Sequence, residues 1–327
     1  ENKIMGKLNR KGIVFTFITI LLLSVLIIAF LINLNSRTTQ SNIQTANVKT
    51  ETINSFVKNL NSTFIPNVLK VSSNQVMISL LDYEHNKTKL QGSPFYVTDS
   101  TDYFKQVLDT GNYNGEKQQD MFQNLRDYTL FNTSSQIKLL ASQQGINFTY
   151  YSNLGQDTID LSTLRITQQD PWHIYITLRF NYIVEDQSSK LRWDIKNADI
   201  SGILNVEDYR DPLYLVQTIP GTSVKITTTP YQNFININDF NDHISKIYFR
   251  NNINSPSFIQ RVEGKLSSSS IYGIESLLDP AAYSNPSSFS NADYQFYSNV
   301  PGSCVQGMPA NFKLDLQHIT YYNRQSC

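Results

Sequence analysis

The chain opens on a continuous apolar run. Ile13 to Leu34 holds no charged residue and no proline, and its only polar side chains are Thr16, Thr19, Ser24 and Asn33. As a helix rising ~1.5 Å per residue, the run would extend roughly 33 Å. The hydrocarbon core of a bilayer is about 30 Å thick, and a helix satisfies its own backbone hydrogen bonds there. Residues 13–35 are therefore expected as a transmembrane or filament-core helix.

The pattern then becomes amphipathic. Ile43, Ile53, Phe56, Val57, Leu60 and Phe64 recur mostly at three- and four-residue spacing, opposite a face of Thr, Gln, Asn, Lys and Glu. This predicts a helix that continues the apolar run, and Pro66 is expected to end or kink it. Val68 to Leu81 is apolar without a clear period, and Asn86 to Pro94 reads as a loop. Asp99 to Asp102 offers an N-cap for a short helix through Leu108. The turn-rich stretch from Asp109 to Gly115 misplaces its oxygen ligands for a calcium loop. Residues 117–144 read as one or two helices, with Met121, Phe122, Leu125, Tyr128, Ile137, Leu139 and Leu140 on the buried side and Gly145 as the stop.

At Ile146 the period changes to two. Trp172, Ile174, Ile176, Leu178, Phe180, Tyr182 and Val184 alternate with wetter residues. A turn follows at Asp186 to Ser189, and an antiparallel return is expected over Leu191 to Ile195. Ile146 to Tyr151 and Thr158 to Ile166 are weaker strand candidates. The sheet is expected to pack on the long helix. Ser257 to Leu266 reads as a short helix. The fold class is thus α+β: a long N-terminal hydrophobic and amphipathic helix, a helical section and an antiparallel β-sheet head. Four parts follow: residues 1–12 as a cytoplasmic leader or tail, 13–35 as the core helix, 36–145 as a mainly helical stalk and lower ectodomain, and 146–327 as a β-rich ectodomain.

Charge orients this arrangement. Residues 1–12 carry Lys3, Lys7, Arg10 and Lys11 against Glu1 alone, which places the N-terminus inside and the large C-terminal part outside. Charged residues make up 17% of the chain, and its net charge is zero. Amides and hydroxyls therefore supply most surface polarity, and no basic footprint marks a nucleic-acid partner. The two cysteines, Cys304 and Cys327, are expected to pair outside the cell. Asn61, Asn86, Asn132 and Asn147 stand in Asn-x-Ser/Thr sequons and are candidates for N-glycosylation.

Arg10-Lys11-Gly12 directly before the apolar run resembles the leader end of type IV pilin-like precursors. In that family, a peptidase cuts after the glycine and the apolar helix becomes the filament core. The resemblance implies cleavage between Gly12 and Ile13. The archaeal branch looks closest, because Phe17 stands where the bacterial pattern expects a glutamate. It also implies packing with other copies through Val14, Phe15, Ile18, Leu21, Leu22, Val25 and Phe30. The Cys304–Cys327 loop is similar to the one that closes many bacterial pilin heads.

Catalytic patterns are missing from the sequence. His85, His173, His243 and His318 are widely separated, and no zinc spacing, nucleophile elbow or phosphate loop occurs. Glu207, Asp208 and Asp211 gather before Pro212, as carboxylates do at solvated turns. Tyr294, Phe296, Tyr297, Tyr321 and Tyr322 either offer exposed contact area or cover the end of the sheet. The chain is read as non-enzymatic and without cofactor or metal. Its expected partners are other copies of itself, membrane lipid, and surface glycans or proteins. Its expected place is the cell membrane, as a single-pass protein, or an extracellular filament with an adhesive or contact role. A non-polymerising envelope protein that binds through its ectodomain, and an ectoenzyme, are the alternatives.

Overall fold

The computed structural model describes residues 48–118, 130–187, 191–217, 224–282 and 288–327. The protein combines helices with an antiparallel sheet. Helix α1 (48–59) passes through a π-helical turn, Leu60–Phe64, into α2 (Ile65–Gln91). Pro66 does not end the helix. Its nitrogen has no hydrogen to give to the carbonyl one turn back, and the widened π turn just before it absorbs that misfit.

Helix α2 buries Ile65, Leu69, Ser72, Ser73, Val76, Met77, Leu80, Leu81, Glu84 and Thr88. This stripe is regular, but four of its members are polar, which hides the period in the sequence. Two of the four serve the chain that follows. Glu84 Oε1 accepts the Val97 N–H at 2.9 Å, and Thr88 Oγ1 accepts the Phe95 N–H at 3.0 Å. The loop expected from Asn86 is therefore helix up to Gln91. Gly92, at φ 65°, ends it.

Helix α3 (Ser100–Thr110) starts at the expected cap, with the Asp99 carboxylate accepting the Thr101 and Asp102 N–H groups. A small hairpin follows, β1 (Asn112–Tyr113) with β2 (Glu116–Lys117). Helix α4 (Leu130–Gln143) stops before Gly145, at φ 72°. Ile137 is buried on α4, whereas Leu139 and Leu140 are 61% and 45% exposed, against expectation. Met121, Phe122, Leu125 and Tyr128 lie outside the described residues.

The main sheet is built on one long central strand. It comprises β3 (Ile146–Ser152), β4 (Gly155–Gln156), β5 (Arg165–Asp170), β6 (His173–Asp186) and β7 (Arg192–Asn205). Strand β6 pairs along its length with β7 on one edge. On its other edge β3 and β5 sit end to end, β3 opposite residues 181–186 and β5 opposite 173–177. The candidate strand Thr158 to Ile166 is instead a 3-10 turn, Leu161–Thr163, leading into β5.

The return strand β7 is 14 residues long, far longer than Leu191 to Ile195. A register shift opposite Phe180 and Tyr182 explains why its pattern is faint. Before the shift, Trp193 and Ile195 oppose inward residues of β6. After it, Ala198, Ile200, Gly202 and Leu204 do. An extra residue switches the parity of the inward positions, so no single period of two runs through the strand. Asn197, at φ 52°, lies at the switch. Helix α2 crosses the inner face of the sheet at β7, and both contribute to the main core.

Beyond Asn205 the long strands cease. The chain builds α5 (Pro212–Val216), α6 (Ile237–Ser245), β8 (Arg250–Asn251), α7 (Phe258–Val262), β9 (Ile274–Glu275), α8 (Asp293–Tyr297), β10 (Ser303–Cys304), β11 (Lys313–Leu314) and α9 (Leu316–Tyr321). Helix α7 carries a capping box between Ser257 and Gln260. The Asp211-Pro212 and Asp279-Pro280 pairs each open a short helical turn with the aspartate bonded to a backbone N–H. A second apolar cluster gathers Leu213, Phe234, Phe240, Leu277, Phe312, Leu314 and Tyr322. Cys304 and Cys327 form a disulfide.

Candidate functional site

Three places gather chemistry: a buried ionic core, an apolar groove on the long helix, and a polar cleft on the outer face of the sheet. The core overturns the reading of the carboxylates before Pro212 as solvated. Asp208 is exposed and Glu207 half-buried, but Asp211 is wholly buried. Asp211 Oδ2 accepts from Arg261 Nε at 2.8 Å, and Arg261 Nη2 donates to Asp293 Oδ2 at 2.6 Å. All three side chains are fully enclosed. Arg261 also donates to the Ile274 carbonyl, and Asp293 accepts the Ser276 and Tyr294 N–H groups. Burial alone would lower the Arg261 pKa; Asp211 and then Asp293 more than offset it and hold the guanidinium charged. Burial raises the Asp293 carboxyl against the pull of Arg261.

A second ionic group adjoins it. His318 stands between Glu275 Oε2, 2.8 Å from Nε2, and Asp315 Oδ2, 2.5 Å from Nδ1. Glu275 also accepts from Asn252 at 2.7 Å and from the Tyr322 hydroxyl at 2.9 Å. Burial works to lower the His318 pKa, but Glu275 and Asp315 outweigh it and push it up to about 10. His243 behaves oppositely: burial, then Arg250, pushes its imidazole down to about 3. The two histidines, far apart in sequence, pack around the same ring, Tyr322.

This core holds segments together and does not present a reactive group. Each charge faces a partner, and Tyr294 and Tyr322 are buried within it; of the C-terminal aromatics, Tyr321 reaches the surface at 36% exposure. Arg250 lies over the Tyr321 ring at 4.0 Å from its centre. Among the described residues no group of His, Cys, Asp and Glu is arranged to hold a metal ion. One signal for the core was present in the sequence: Arg261 falls among Phe258, Ile259 and Val262, at a position of α7 that the apolar spacing assigns to the inside.

The groove lies between α1 and α4. It has a volume of about 600 Å³, and Val48, Phe56, Leu60, Phe64, Ile137 and Leu140 supply its apolar walls. Ile53 and Leu60 of the same helix are buried, whereas Val48 is 62% exposed. The amphipathic stretch is therefore only partly covered by the rest of the described chain.

The sequence-derived glycan acceptors occupy different settings. Asn61 sits in the π turn, and its Oδ1 accepts from the Tyr182 hydroxyl at 2.7 Å. Asn86 lies within α2 and Asn132 within α4. Asn147 is exposed on β3. The cleavage pair Gly12 and Ile13, and the packing residues Val14, Phe15, Ile18, Leu21, Leu22, Val25 and Phe30, lie outside the described residues. Among the described residues no helix is long and apolar enough to cross a membrane.

No family model, curated protein or solved structure matches this chain.

Proposed function

We propose that this chain is a membrane-inserted, externally exposed structural protein: a pilin-like subunit of an extracellular filament with a contact role. In this reading the uncharged run Ile13–Leu34 and the helix from residue 48 form one continuous spine. The apolar residues of the run pack against those of sister subunits, and the sheet-bearing head faces outward. The work is done by buried apolar area, at about 25 cal/mol per Å², and needs no reactive side chain.

The observation that carries this reading is the division of the long helix. Its second half, α2, sets a continuous buried stripe against the sheet and leaves Val71 and Leu90 exposed singly, while α1 and the π turn leave Val48 and Phe64 exposed along the walls of an apolar groove. The exposed residues gain meaning from the groove, because contiguous open apolar surface, unlike single exposed side chains, offers a place for another molecule to pack. The ionic core supports the same reading, because its charges are spent on joining segments.

Shearing of the native surface tests it. The chain should leave the cells in material that images as thin filaments, with residues 1–12 missing from the intact mass. Recovery only as single copies in the membrane fraction would remove the filament reading and leave the non-polymerising anchor.

A further inference from the structure

We infer that the outer face of the sheet carries a binding cleft for a carboxylate-bearing sugar, formed where β3 and β5 leave a gap along β6. This gives chemical content to the contact role proposed above and rests on that reading for its biological setting.

The gap follows from the pairing. Strand β5 covers β6 up to Thr177, and β3 resumes at Asn181. Between them the 3-10 turn fills in, with Thr163 Oγ1 accepting the Arg179 N–H at 3.1 Å. The turn stands in for a strand without continuing its surface. The result is a cleft of about 330 Å³ lined by Ser162, Thr163, Arg165, Thr177, Arg179 and Asp199 among others. That volume falls at the small end of ligand pockets, and a single sugar unit is of suitable size.

Its chemistry selects the ligand. Arg165 pairs directly with Thr177 across the strands, and Arg179 is two residues further along β6. Both guanidiniums therefore rise from the same face. Arg165 is held from behind, its Nη1 donating to the Ser162 and Leu164 carbonyls at 2.8 and 2.9 Å. Arg179 Nε donates to Asp199 Oδ1 at 3.3 Å, with the two side chains 63% and 83% exposed. A guanidinium has five N–H donors, so both arginines keep donors for an incoming anion. A planar carboxylate matches that fork. The Thr177 hydroxyl suits a sugar hydroxyl, whereas Thr163 Oγ1 is taken up by the Asp160 carbonyl and the Arg179 N–H, and the Asp199 carboxylate competes with an incoming anion for Arg179. No aromatic ring lines the cleft, so charge and hydrogen bonds must carry selectivity.

The test uses the full chain in detergent, titrated with a tetrasaccharide of uronic acid units, a neutral tetrasaccharide of equal length, and an aspartate-rich peptide. The uronate should bind saturably, at least tenfold more tightly than either comparison ligand. Arg179→Gln should weaken it at least tenfold. Asp199→Asn, which removes the competing negative charge, should tighten it, a gain that misfolding could not produce. No saturable uronate binding, equal binding by the neutral sugar or the peptide, or no response to either substitution would overturn the inference. Filament formation by the same preparation is scored separately, so failure here leaves the assembly reading standing.

Discussion

Gly202 of β7 lies directly against the backbone of Lys70 in α2. A Cβ built at Gly202 would stand 3.0 Å from the Lys70 nitrogen and 3.1 Å from its Cα. The helix reaches the sheet closely here because the strand has no side chain at the crossing. Since the helix backbone cannot swing aside as a side chain could, the whole element must move to admit a methyl group. Gly202→Ala should therefore cost about 1–3 kcal/mol, the range for overpacking, and Gly202→Val more. Chemical denaturation of the two variants checks this; unchanged midpoints would mean that the crossing is looser than described.

The Asp211–Arg261–Asp293 triad predicts a larger loss. Replacing Arg261 with leucine leaves two carboxyl groups with no cation in a fully enclosed site. Breaking a buried ion pair from one side costs about 3–5 kcal/mol. The double change Asp211→Asn, Asp293→Asn in the Arg261→Leu background should recover part of it. Thermal unfolding of the single and triple variants would measure the recovery.

The two buried histidines predict opposite pH slopes. His318 has its pKa raised in the fold, from 6.5 to about 10. Its contribution is complete below pH 6.5 and is lost as pH rises through 10. His243 has its pKa lowered, from 6.5 to about 3. Its contribution is complete above pH 6.5 and declines as pH falls below that, when the unfolded chain takes up a proton that the fold refuses. His318→Gln should flatten the stability profile between pH 6.5 and 10, and His243→Phe should flatten the part between pH 6.5 and 4. Burial raises the Glu84 and Asp293 carboxyls, which tilts the acid side the other way. The comparison to make is therefore each variant against the parent in urea titrations at fixed pH.

The disulfide ties down the last segment, where Gln306 N–H also donates to the Gln325 carbonyl at 2.8 Å. Replacing both cysteines with serine should cost roughly 3 kcal/mol on the loop-entropy model. The tail should then become the first site of carboxypeptidase digestion, while the main sheet, which shares no strand with it, keeps its protection in hydrogen exchange.

Several elements were legible from local pattern. The strict alternation before Val184 announced β6, Asp99 announced α3, and Gly145 announced the end of α4. Helix α2 was obscured because Ser72, Ser73, Glu84 and Thr88 occupy its buried stripe, where they look like exposed positions. Strand β7 was obscured because its register shift exchanges odd for even. In both cases the missing information was the identity of the neighbour: a loop N–H for Glu84 and Thr88, and an unequal partner strand for β7.

The ionic core was the least legible. Asp211, Arg261, Glu275, Asp293 and His318 span more than a hundred positions, and apart from Arg261, which falls on the apolar spacing of α7, each alone resembles a solvated residue. By itself the sequence determined the periodic elements, the single pair of cysteines and the uncharged run, because these depend on residues near one another along the chain or on composition. Only the tertiary structure decided which polar groups leave water, since a charge is buried only when a distant partner arrives to replace its solvent. It also decided where one edge of β6 is met by a turn instead of a strand and where a helix can approach a strand as closely as Lys70 approaches Gly202.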